Sequence, residues 1–131
     1  MKATRVFLTA LGLLLAACLP ANAKAKASDP GAAIVACMEK SKRLTEDVDA
    51  ATHRYGQALL TQGHAKEGAW DRATCQALKA TLVAGDRQLT WKGQESPICA
   101  QIVTAPKAQA SLEGFAASHG RLRVTYASHC R

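Results

Sequence analysis

Most of the signatures that announce an activity are missing from this 131-residue chain. It has no glycine-rich phosphate loop, no Gly-x-Ser-x-Gly, no His-Glu-x-x-His and no Cys-x-x-Cys-His, so nucleotide, hydrolase, zinc-protease and c-type haem chemistry have no motif beneath them. No basic run is interleaved with aromatic residues, which speaks against nucleic acid as a partner. There is no internal repeat. The apolar run from Val6 to Ala17 has twelve residues, too few to cross a bilayer as a permanent helix. The sequence therefore predicts no catalytic residue, no cofactor and no enzyme.

What is present begins with export. Lys2 and Arg5 precede the apolar run and small residues follow it, the pattern of a secretory signal peptide. Two processing sites compete. Leu15-Ala16-Ala17-Cys18 resembles the bacterial lipoprotein box, in which Cys18 takes a diacylglycerol and the chain is cut just before it. Residues 1–17 are then the signal peptide and 18–28 a flexible polar tether. Ala21-Asn22-Ala23, behind Pro20, equally fits an ordinary signal-peptidase site, which moves the boundary to 1–23. Leu19 is an unusual residue after a lipidated cysteine. The expected location is the periplasmic side of the outer membrane, held by lipid at Cys18, with a soluble periplasmic protein as the alternative. Either way 29–131 is the folded domain.

Both readings remove Cys18 from the five cysteines and leave Cys37, Cys75, Cys99 and Cys130. Widely spaced and even in number, in an oxidising compartment, these read as two structural disulfides. Cleavage also removes Lys2 and Arg5, leaving 15 basic against 10 acidic residues, a net +5. That excess reads first as a solvated basic face, and secondly as a preference for an acidic protein or an anionic surface. The mature length of 108 to 114 residues makes one domain with a modest core.

Helical periodicity dominates the remainder. Asp29-Pro30 reads as a cap and first-turn proline. Ile34, Cys37, Ser41, Leu44, Val48, Ala51, Tyr55 and Ala58 then recur at steps of three and four, flanked by Met38 and Leu59, up to Gly63. Charges off this stripe pair as Glu39 with Arg43, Lys42 with Glu46, Arg43 with Asp47 and Asp49 with His53. Such a helix would run about 50 Å, so either an elongated bundle or a break near Thr52 to Gly56 is expected. Trp70, Thr74, Cys75, Leu78 and Leu82 make the face of a second helix stopped by Gly85-Asp86. Leu89-Thr90-Trp91 alternates like a short strand. Ser96-Pro97 opens a short helix through Val103, which Pro106 ends. In the C-terminal stretch Leu112, Phe115, His119, Leu122, Tyr126 and Cys130 share one helical face, while Arg121 to Tyr126 also alternates like a strand. The fold class is thus all-α, a bundle of three to four helices with two disulfides, the alternative being α+β with a short C-terminal strand pair.

Four cysteines allow three connectivities. Short connections between antiparallel neighbours put Cys37 and Cys99 at one end, with Cys75 halfway along its helix and Cys130 in the upper half. The expected bridges are Cys37 with Cys99 and Cys75 with Cys130; a Cys75 to Cys99 bridge would overturn the up-down layout. Few residues point to chemistry. His119 with Met38 or His129 could hold a metal or haem between helices, though a lone histidine on an apolar stripe reads first as a hydrogen-bonded core residue. Glu46, Asp47 and Asp49 read as a salt-bridged surface. Trp70 and Trp91 read as core anchors, with Trp91 the better candidate for a partner contact. The functional expectation is a non-enzymatic binding or accessory module of inhibitor, immunity or secretion-assembly type, acting on another envelope protein, and the alternative is a metal- or haem-binding bundle.

Overall fold

A computed structural model describes residues 29–62 and 68–131. The export segment, Cys18 and the tether of 18–28 lie outside the described residues. The chain divides into two units, Met1–Ala32 and Ala33–Arg131. In the described part of the first, Asp29 Oδ1 accepts from Gly31 N at 3.0 Å, capping the helix that Pro30 starts.

The described elements are four helices and no strand: α1 Pro30–Gln62, α2 Arg72–Thr90, α3 Pro97–Val103 and α4 Pro106–His129. The fold is all-α, and the C-terminal stretch is helix throughout. α1 is unbroken through Thr52 to Gly56, because Ala51 and Tyr55 are buried one turn apart and a kink there would uncover them. Two of the expected ion pairs are present, Lys42 to Glu46 at 3.7 Å and Arg43 to Glu39 at 3.9 Å. Arg43 with Asp47 and Asp49 with His53 do not approach within pairing distance among the described residues.

Gly85-Asp86 does not stop α2. The helix runs on to Thr90, so Leu89 and Thr90 belong to it and not to a strand. Gly85 is the point of closest approach to α4: a Cβ there would lie 2.5 Å from the His119 ring. The entropy lost by a mid-helix glycine is exchanged for backbone contact with an imidazole. Trp70 precedes α2 and is not on its face. Asp71 supplies the cap, its Oδ1 accepting from Thr74 N at 2.7 Å, and that hydrogen bond holds the carboxyl below the ordinary carboxylate range. Cys75 accordingly sits in the first turns of α2, not halfway along. At the other end Gly93, with φ 71°, turns the chain so tightly that a Cβ would meet the Cys99 backbone at 2.6 Å. Ser96 then caps α3 by accepting from Cys99 N at 3.1 Å.

The bridges are Cys37 to Cys99 and Cys75 to Cys130, with Cα atoms 5.4 and 5.5 Å apart, the pairing expected from the up-down layout. α2 and α4 pack backbone against backbone, and α3 also lies on α4. α1 is held by side chains and by its cross-link to α3. Its Tyr55 joins Leu78 and Leu82 of α2 in the core, against which Leu59, Trp70, Leu122 and Tyr126 pack. Burial raises the Tyr55 phenol above its usual range.

Candidate functional site

A half-open groove of about 490 Å³ lies between α1 and α4. α1 contributes Cys37, Met38, Ser41, Lys42 and Leu44 to it, and α4 contributes Ala108, Ser111, Leu112 and Phe115. Gln88 and Trp91 from the end of α2, with Ile102 and Val103 of α3, close its sides. Both long helices present positions spaced by three and four, the ordinary pattern of an interface. Yet Met38 is 64% exposed, and Ile34, Val35 and Ile102 are exposed as well. The reason is the side-chain sizes: Ser41, Ala108 and Ser111 are too small to fill the space between α1 and α4. One polar atom in the wall is unmatched, since Gln88 Oε1 is buried and accepts no hydrogen bond. Trp91 reaches back to Glu95, its Nε1 donating to both carboxylate oxygens at 2.9 and 3.0 Å.

Behind Phe115 lies a polar cluster. The Phe115 ring stacks on His119, centroids 5.8 Å apart, and His119 is only 3% exposed. Its Nε2 donates to Asp86 Oδ1 at 2.8 Å, and Arg123 meets the same oxygen. The His119 hydrogen bond first, and Arg123 with it, holds the Asp86 carboxyl below its ordinary range. These residues lock α2 to α4.

His119, Met38 and His129 are not brought together. Met38 lies on the open groove, while His119 is engaged by Asp86. His129 is ten residues further along α4, about 15 Å of helix. There it stacks on Trp70 at 4.6 Å and donates from Nδ1 to the Gly68 carbonyl at 2.7 Å. Among the described residues no three His, Cys, Asp or Glu side chains converge as metal ligands would. Glu46, Asp47 and Asp49 are exposed along α1. Trp70 is a core residue, with Tyr55 at 6.0 Å, whereas Trp91 lines the groove. Sequence reasoning missed the groove residues of α3, Ala108 and Ser111. The usable signal was the row of small side chains on a helix face otherwise apolar.

Comparison with protein-family models, with curated proteins and with solved structures finds no match to this chain. The class of molecule is therefore defined by the fold alone: a small helical bundle cross-linked by two disulfides. Such cross-links point to an oxidising compartment. No helix among the described residues is long and apolar enough to cross a membrane.

Proposed function

We propose that this is an exported, non-enzymatic binding module of the bacterial envelope that takes an apolar segment of another envelope protein into the groove between α1 and α4. The observation that carries the reading is the groove itself, an apolar slot flanked by two helices with Met38 and Ile102 exposed on its walls. Helix-in-groove recognition uses a surface of this kind, with side chains at helical spacing inserted between the walls. An acceptor at Gln88 Oε1 adds a demand for a donor from the guest. The finer location proposed is the periplasmic face of the outer membrane, through acylated Cys18, the alternative being release after Ala23. Intact-mass analysis decides between them: a mature chain beginning at Lys24 without lipid rules out the anchor.

The groove is tested by placing a photo-crosslinking amino acid at Met38 in the native envelope, with Leu60, exposed on α1 outside the groove, as control. The expected result is one protein adduct at Met38, absent at Leu60 and lost when Ser111→Trp fills the slot. Equal labelling from both positions, or an adduct that survives Ser111→Trp, overturns the proposal.

A further inference from the structure

Arg72, Lys79 and Arg87 recur along α2 at steps of seven and eight, with Gln76 and Val83 between them, and all five residues are exposed. Those steps are about two turns each, so the residues form one row about 22 Å long. The row adjoins two hollows. One, of about 540 Å³, brings Arg54 and Asp47 of α1 beside Lys79 and Arg87, over small residues that include Ala50, Ala80 and Ala84. The other, of about 430 Å³, holds Arg72 and Tyr126, and the two share Gln76 and Lys79. With Arg131, which lines the second hollow, five basic side chains border the two hollows, and Asp47 is the one acidic side chain lining them.

Among the described residues Arg54, Arg72, Lys79 and Arg87 take part in no ion pair, whereas Lys42, Arg43 and Arg123 each have one. The carboxylates of α2 are engaged elsewhere, Asp71 as the cap and Asp86 by His119 and Arg123. A helix stabilised for its own sake alternates charge at steps of four. This row does not.

We propose that this face is a second docking surface, independent of the groove, and that it receives an acidic segment of a protein partner. The partner's carboxylates meet Arg54, Arg72, Lys79 and Arg87, and a small apolar side chain settles over the alanines beside Val83. A lipid surface fits less well. The face is hollow where a membrane is flat, and its one large exposed apolar side chain on α2, Val83 at 43%, is far short of the bulky wedge that interfacial helices insert.

The test uses the oxidised domain and a fluorescent peptide of alternating Glu and Ala pairs, titrated at about 0.15 M salt, where exposed charges act over about 8 Å. Binding is expected, with amide shifts confined to the outer face of α2 and the adjoining part of α1. Lys79→Glu with Arg87→Glu should weaken it at least about tenfold, and Lys79→Gln with Arg87→Gln by an intermediate factor that guards against a misfolded reversal. Lys92→Glu with Lys107→Glu makes the same net charge change elsewhere and should weaken it less than about threefold. Equal losses from the two reversals overturn the proposal, since net charge alone would then be read. So does failure of the peptide to bind, or binding of phosphatidylglycerol vesicles through Lys79 and Arg87 in its place.

Discussion

α4 has two long neighbours and treats them differently. Against α2 it is closed: Gly85 recedes, His119 fills the space, and Asp86 and Arg123 tie the rim. Against α1 it is open: Ser41, Ala108 and Ser111 are small, and Leu44, Leu112 and Phe115 line the gap without filling it. A small residue tightens a seam only where the opposite helix supplies the volume; two small faces opposed leave a slot. The closed seam is held by packing, and the open one by the Cys37 to Cys99 bridge and by the Tyr55 end of α1.

The strongest way to break this contrast is to remove the bridges one at a time. Each closes a loop of more than fifty residues, worth about 4 kcal/mol in the chain-entropy model. Cys37→Ser with Cys99→Ser should strip hydrogen-exchange protection from the first half of α1 while α2 and α4 keep theirs. Protection lost first from α2 would invert the comparison. Next comes volume. Gly85→Ala should cost about 1 to 3 kcal/mol in a denaturant melt, because the added methyl meets the His119 ring. Ser111→Leu, a larger addition, should instead be neutral or stabilise by about 0.5 kcal/mol. Asp71→Ala calibrates both, since it touches neither seam and removes only a cap, and its midpoint should fall by less than that of Gly85→Ala.

The smallest effect is the acid response of the closed seam. Asp86 has its folded pKa depressed, so its contribution is complete above the unfolded value of about 3.9 and is lost as pH falls below that toward the folded value. With 42% of its side chain exposed, solvent screens much of the effect. Asp86→Asn should flatten the stability profile below about pH 4 and leave the profile above it parallel to that of the parent; an unchanged acid limb would remove Asp86 from the seam's electrostatics.

Helix content and the caps at Asp29 and Ser96 were legible because each depends on local spacing, and the cysteine pairing because short connections impose an up-down layout. The pairing survived a misplaced residue: Cys75 sits near the start of α2, not midway, which brings it closer still to the end where Cys130 lies. The extent of α2 was not legible, since Gly85-Asp86 has the same composition whether it stops a helix or admits a neighbour's ring. Only the distant His119 distinguishes the two. The groove was hidden for a related reason. An apolar stripe on α1 looks the same whether a partner covers it or not, and the size of the facing residues on α4 becomes meaningful only once the two helices are known to oppose each other.

The two cross-links also interleave: the first cysteine of the folded domain bonds the third, and the second bonds the fourth. On the export route proposed above, a chain threaded N-terminus first through a translocon presents Cys37 and Cys75 to the oxidant before Cys99 has emerged. The first bond made is then the wrong one, and reaching the native arrangement requires a thiolate to attack it and pass the sulfur on. The expected outcome on that route is a need for a disulfide isomerase as well as an oxidase, checked in cells lacking the isomerase by accumulation of protein with Cys37 bonded to Cys75.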